Sequence, residues 1–387
     1  MKLHSLTFAL SALIFISCKD QGNVVNKMKD KYKNNYVFVH TGIKEFVLDD
    51  ETSYLLTYIQ HIDKDTGPSV LFVNEFNNSV YFYDYETTNF IRKIDYDKEG
   101  SNGVHNIQGI LYLNEDSIFV YSYNIHTLFL TNSKSKVLNK YKIYEIPDDI
   151  SIIYPASYVQ TGTPIKRFGK KIVLFGFVSG ETSHETLDNR PTCTMVDLEN
   201  NSISYLINYP EQYSQFNWGG GFVYRLPYYD VDDTSIIVSF PADHNVIKYS
   251  LEGSQNKFYA GSSSISKISS FPQDKDMPID SDKEWNWYME NPSYQNVLYD
   301  KYQNLYYRIA RLPVKDYEPT AIGNKKTIVI IALDSQLNYL GEATLPDHIQ
   351  WQSTNCFVSK DGFNIQVITD DEDKLTFHQY KFKENEN

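Results

Sequence analysis

The sequence predicts an all-β protein, a β-propeller of about six four-stranded blades, on three observations. Its 387 residues hold 32 Tyr and 22 Phe against 5 Met, and aromatic and β-branched side chains suit the pleated surface of a strand. Short strand-like runs recur in groups of four, each group taking about 50–60 residues, which is the period of propeller blades. The last group is one strand short, and spare strand sequence stands at the opposite end of the chain. Seven blades is the alternative count, and a two-domain all-β arrangement is the competing architecture.

The first group comprises Tyr54–Gln60, Ser69–Asn74, Ser79–Tyr85 and Asn89–Ile94, an antiparallel meander with a turn at Glu75–Asn78. Ile107–Leu113, Ser117–Ser122, Thr127–Thr131 and Val137–Ile143 form the second. The third is Pro164–Phe168, Lys171–Val178, Thr192–Asp197 and Ser202–Ile207, with a polar insertion at Ser179–Arg190. The fourth is Gly221–Leu226, Ser235–Phe240, Asn245–Leu251 and Asn256–Ala260. The fifth is Gln295–Tyr299, Leu305–Ala310, Thr327–Asp334 and Tyr339–Thr344. Only Thr354–Val358, Phe363–Thr369 and Lys374–Lys381 make up the sixth. Tyr36–Val39 or Ile43–Leu48 would complete it, hiding a raw sheet edge and tying the chain ends together. Asn74–Thr87 and Phe240–Gly253 share a turn, an Asn, an alternating strand and a Tyr-Asp or Tyr-Ser exit. One stretch breaks the pattern: Ser270–Tyr294 is polar and carries Pro272, Pro278 and Pro292. Ser281 and Glu284 have capping-box spacing, so a short inserted helix from Asp282 to about Glu290 is expected, ended before Pro292.

The amino terminus reads as an address. Lys2 precedes an apolar run from Leu6 to Ile16, shorter than the about 20 residues a membrane span needs. A basic start, an apolar middle and the small Ser17 have the order of a secretory signal. Cys18 follows at once, in the position of the lipid-modified cysteine of a bacterial lipobox. The expected division is therefore residues 1–17 as signal peptide, 18–35 as a flexible polar tether, and 36–387 as the propeller domain. Cys18 is the candidate lipid attachment site, which places the protein in the cell envelope, at the outer membrane. Acyl chains would hold it by about 0.8 kcal/mol per buried CH₂.

The formal charge is −13, which excludes nucleic acid as a partner and argues against binding anionic lipid through a basic face. Besides Cys18 there are only Cys193 and Cys356. The grouping puts these two on opposite sides of the ring, far beyond the roughly 7 Å Cα limit for bridging, so both are expected as buried free thiols.

Three stretches carry a family resemblance. Lys98–Ser122 (KEGSNGVHNIQGILYLNEDSIFVYS), Asn189–Asn201 (NRPTCTMVDLENN) and Tyr299–Pro313 (YDKYQNLYYRIARLP) together resemble a family of Bacteroidota lipoproteins known as domain of unknown function 4221. The resemblance implies a propeller and an envelope location, and it supplies no catalytic residues.

Candidate chemistry is sparse. His105, His126, His184 and His244 are scattered and lack ligand spacing, and the acidic turns at Asp63–Gly67 and Asp370–Asp373 lack a calcium loop's later ligands. The sequence therefore calls for no metal and no cofactor. Arg190, Arg225, Arg308 and Arg311 invite comparison with the arginine clusters of sialidase-like propellers, but ion pairing is the plainer expectation. Asn217–Gly221 (NWGGG) has no following Lys, so a turn is expected rather than a phosphate loop. The candidate binding residues are aromatic: Trp218, Trp285, Trp287, Tyr288 and Trp351. Gathered on one face they would stack on sugar rings or on a partner's apolar patch; packing the inserted helix onto the ring is the alternative. The expected role is binding or scaffolding of a protein or glycan partner. An envelope glycan-processing hydrolase or lyase is the second reading, and converging carboxylates with an Arg or Tyr in the central channel would favour it.

Overall fold

The structure is a computed structural model that describes residues 22–31, 36–143, 154–178, 187–272, 280–321 and 323–384. Six antiparallel sheets follow one another along the chain, each a blade. Blade 1 is Ile59–Ile62, Ser69–Asn74, Ser79–Asp84 and Phe90–Asp95; blade 2 is Gly109–Asn114, Ser117–Ser122, Thr127–Thr131 and Val137–Lys142. Blade 3 is Lys166–Phe168, Lys171–Phe177, Pro191–Asp197 and Ser202–Asn208, with Ala156–Ser157 also paired to its second strand. Blade 4 is Tyr228–Val231, Ser235–Ser239, Asn245–Ser250 and Gln255–Tyr259; blade 5 is Ser293–Asp300, Leu305–Arg311, Ile328–Leu333 and Tyr339–Thr344. Blade 6 is Trp351–Ser359, Gly362–Val367 and Lys374–Glu384, completed by Tyr36–Val47.

Both candidate closing segments belong to that one N-terminal strand, which runs from Tyr36 opposite Glu384 to Val47 opposite Lys374 with a bulge between His40 and Gly42. The middle strands are buried along their length, as in Ser69–Asn74, while the outer strand Phe90–Asp95 is mostly exposed. Aromatic rings fill the space between and within sheets. Phe72 stacks on Tyr81 at 5.1 Å, and Phe38 meets Tyr307 of blade 5 edge-on at 5.7 Å. Cys193 in blade 3 and Cys356 in blade 6 are free and buried, and burial raises the pKa of both thiols, that of Cys356 to about 12.

Meander order gives the ring two distinct faces. Every innermost strand ends on the face that carries the turns from first to second strand. The opposite face carries the second-to-third turns and the long connections between blades. We call these the turn face and the connection face.

Four expectations are corrected. Gly221–Leu226 is not a strand: Phe222–Arg225 is a helical turn, and blade 4 begins at Tyr228 after Pro227. Glu284 explains this, because its carboxylate accepts the Gly221 N–H at 2.9 Å and turns the chain there. The inserted helix runs Ser281–Glu290, but its cap is Asp280, whose side chain accepts from the Asp282 and Lys283 amides. Glu284 is thus engaged elsewhere and closes no capping box with Ser281.

The polar segment read as a tether is folded from Gly22. Asn23–Val25 pairs with Lys267–Ser269 in the connection between blades 4 and 5, and the Asn26 amide donates to the Ser262 and Ile265 carbonyls, each at 2.9 Å. Backbone pairing and a buried side-chain amide supply what apolar periodicity did not advertise. Finally, the first strand of blade 3 is shorter than Pro164–Phe168, because residues 158–165 leave the sheet. The expected signal peptide at residues 1–17, Cys18, His184 and most of the Ser179–Arg190 insertion lie outside the described residues.

Candidate functional site at the central channel

The departure of residues 158–165 from blade 3 shapes the channel. Thr161 crosses to blade 1, its amide donating to the Thr57 carbonyl at 3.0 Å and its hydroxyl accepting the Ile59 amide at 2.9 Å. Gly162 lies against Asn296 of blade 5 so closely that a Cβ would stand 2.5 Å from Asn296 Oδ1. Only glycine fits there, and the excursion forms a floor.

Above that floor a cavity of about 610 Å³ opens on the turn face, lined by inner-strand residues of blades 1, 3, 4, 5 and 6. Its charged side chains are Asp63, Asp230, Asp232 and Asp233 against Lys166, Arg167 and Lys301, four carboxylates to three cations. Most are already engaged. Lys166 Nζ lies 2.7 Å from Asp230, which also accepts the Tyr299 amide at 2.8 Å. Asp232 accepts the Tyr306 hydroxyl and the Thr234 and Ser235 amides. Arg167 Nε donates to the Gly169 carbonyl. Asp63 reaches across the end of blade 6 to Lys301 at 2.5 Å and the Tyr302 hydroxyl at 2.6 Å. Burial alone would raise the Asp63 pKa, but the Lys301 ammonium and the Tyr302 hydroxyl hold it below the usual carboxylate range.

Two polar atoms on the lining are buried with no hydrogen-bond partner among the described residues: His61 Nε2 and Asn296 Oδ1. Burial brings the His61 pKa down to about 4, so its imidazole is neutral at pH 7. Its ring lies flat on Phe357, centroids 5.5 Å apart, and edge-on to Tyr85. Buried polar groups are normally satisfied; these two sit in the cavity wall with their hydrogen-bonding capacity unmet.

The aromatic candidates are elsewhere. Trp218, Trp287 and Tyr288 are buried and Trp285 is exposed. Tyr224 joins the first three: its ring stacks on Trp218 at 5.8 Å and lies 4.4 Å from Trp287 and 6.0 Å from Tyr288. This group packs the inserted helix onto the connection face, with Lys326 donating to the Met289 and Asn291 carbonyls at the helix end. Trp351 does not join them; it packs on His378 and Tyr380 in blade 6.

The arginines do not converge as a cluster in the cavity either. Arg308 is fully buried and held by the Ser239 hydroxyl and the carbonyls of Phe240, Asp243 and Ala260, its guanidinium 3.8 Å over the Tyr294 ring. Its partners are neutral oxygens, so ion pairing does not account for it. Arg311 lies over the Tyr288 ring. His244 is buried between the Tyr294 hydroxyl and the Val24 carbonyl, while His105 and His126 occupy turn positions with positive φ. Asp371 is paired to Lys374 at 3.0 Å.

Sequence reasoning missed the cavity because its polar residues sit in short, separate stretches of blades 1, 3, 4 and 5. Asp63 reads on its own as no more than a calcium candidate, and its partners Lys301 and Tyr302 lie more than half the chain away.

Comparison with known proteins agrees with the architecture. The model of a domain of unknown function, DUF4221, matches residues 35–344. A crystal structure of a DUF4221 member from Bacteroides vulgatus superposes with a TM-score of 0.75 at 20% identity, covering 91% of this chain and 100% of that one. A putative exported protein from Bacteroides fragilis superposes with a TM-score of 0.52 at 10% identity, covering 89% and 97%. No curated protein matches the sequence.

Proposed function

Since the chain belongs to the DUF4221 family, whose function is unknown, we propose a role from its own site: it is a ligand-binding propeller that takes a sugar-sized polar ligand at the turn-face cavity. One observation carries this reading. The cavity pairs Lys166 with Asp230 and Lys301 with Asp63, and its wall holds a neutral imidazole nitrogen and an amide oxygen without partners among the described residues. Hydroxyl groups, which donate and accept alike, suit both, and the half-exposed Tyr302 ring offers a face for a sugar's apolar side. A volume of this size suits a small ligand rather than a protein segment. The carboxylates favour binding over hydrolysis. Asp63 is held below its usual range, so it is not poised as a general acid. We further propose, from the sequence of residues 1–18, that the protein is lipid-anchored at Cys18 in the cell envelope, at the outer membrane.

Calorimetric titration of the purified protein with mono- and disaccharides tests the site. His61→Ala and Asp63→Asn are expected to weaken the best ligand by about tenfold each, the loss from one buried hydrogen bond of roughly 1.4 kcal/mol. Trp285→Ala, on the other face, is expected to leave affinity unchanged. Unaltered affinity in both cavity variants, or loss in Trp285→Ala alone, overturns the assignment.

A further inference from the structure

We infer that the connection face is the membrane-facing surface, resting on a neutral, zwitterionic lipid surface, so that the cavity opens away from the bilayer. The inference rests on the reading of residues 1–18 as a membrane-directing leader ending at Cys18.

The first observation is where the folded chain begins. Gly22 accepts the Ser270 amide, Asn23 Oδ1 accepts the Ser269 hydroxyl, and the Val24 carbonyl meets His244 in a second-to-third turn. All three partners belong to the connection face. Three residues separate Cys18 from Gly22, four Cα-to-Cα steps with a reach of at most about 14 Å even when fully extended. A lipid on Cys18, or the retained apolar run Leu6–Ile16, would therefore hold this face close to the bilayer.

The second observation is independent of the leader. Among the described large apolar residues, the five most exposed are Phe76 at 78%, Val47 at 63%, Val25 and Leu55 at 56% and Trp285 at 53%. Each lies in a second-to-third turn, an inter-blade connection, the docked N-terminal strand, or at the end of the strand leading into a connection. All five therefore belong to the connection face. On the turn face Phe90, Ile91, Leu138, Leu251 and Tyr302 are exposed to a lesser degree, at 40–52%. Exposed aromatic and aliphatic side chains around a ring face suit shallow insertion at a lipid interface, where tryptophan is favoured.

Charge selects the lipid. Phe76 and Leu55 stand beside Asp49, Asp50, Glu51 and Glu75; the Thr57 hydroxyl bonds Glu75 and the Asn77 amide bonds Glu51, tying the two loops together. Such a rim repels an anionic surface within a Debye length and tolerates a zwitterionic one.

The test uses the full chain expressed with its leader and reconstituted into phosphatidylethanolamine–phosphatidylcholine vesicles. Phe76→Cys and Leu251→Cys are each labelled with a fluorophore; native Cys193 and Cys356 are buried, and the parent chain labelled in parallel reports any signal from Cys18. The Phe76→Cys label is expected to be quenched by spin-labelled lipid and shielded from aqueous iodide, and the Leu251→Cys label to behave oppositely. Replacing half the lipid with phosphatidylglycerol is expected to reduce the lipid quenching, with recovery in high salt. Mass spectrometry of the same sample separates the failures. A chain bearing lipid or leader but with equal or reversed quenching overturns the orientation alone. A chain bearing neither overturns the anchoring reading, and the orientation falls with it.

Discussion

Replacing Arg308 by methionine keeps the side-chain volume and removes every donor. The guanidinium serves three carbonyls and one hydroxyl, and burial lowers its pKa only to about 10, so it is charged at neutral pH. Each buried carbonyl left without a donor costs about 1 kcal/mol or more, which gives about 2 for Asp243 and Ala260, since the Phe240 carbonyl keeps the Asp243 amide. Losing the cation–π contact with Tyr294 adds about 1 kcal/mol. A loss of about 3 kcal/mol follows, with Ser239→Ala, which removes one acceptor, costing about 1 kcal/mol. Arg308→Lys is expected to fall between, because an ammonium cannot reproduce the planar fork. Urea unfolding with an unchanged m-value reads these directly. A loss below about 1 kcal/mol for Arg308→Met, or one equal to that of Ser239→Ala, would show that the carbonyls need no cation and refute the reasoning.

Three other outcomes are expected. Gly162→Ala places a Cβ 2.5 Å from Asn296 Oδ1; overpacking of this kind costs about 1–3 kcal/mol, and thermal unfolding should report it, whereas an unchanged midpoint would mean the channel floor yields freely. His244 is held neutral by burial, its pKa lowered from 6.5 to about 4. The unfolded chain therefore binds a proton first: this contribution is intact above pH 6.5 and drains as pH falls towards 4. Over that window it amounts to about 3 kcal/mol, and His244→Gln should flatten the pH–stability slope there. Cys193 and Cys356 are buried thiols whose ionisation is suppressed, so a disulfide-exchange reagent should modify them only at the rate of unfolding; rapid native labelling would contradict their placement.

Much of the ring was legible because its strands are buried on both faces and punctuated by Asn, Asp and Gly turns. Ser69–Asn74, Ser117–Ser122, Thr127–Thr131 and Tyr339–Thr344 have the bounds that alternation and turn residues suggest. Where distant partners decided the local structure, the sequence misled. Gly221–Leu226 is as apolar as a strand, yet a carboxylate 63 positions on turns it into a helical turn. The polar stretch ahead of the closing strand looks like a linker because its anchors are amides and carbonyls rather than apolar side chains. The tryptophans were visible as letters, but burial separates structural rings from available ones: Trp287 faces inward on the same helix that exposes Trp285. The cavity was the least legible part, since its charged and hydrogen-bonding side chains come from separate stretches of four blades.

The strand that seals the ring has a consequence for biogenesis. Tyr36 finds its partner only at Glu384, so a strand among the first to leave the ribosome must wait for residues 348 positions later. A contact of such long sequence separation forms late and slowly, which leaves the ring open until the sixth blade has been made.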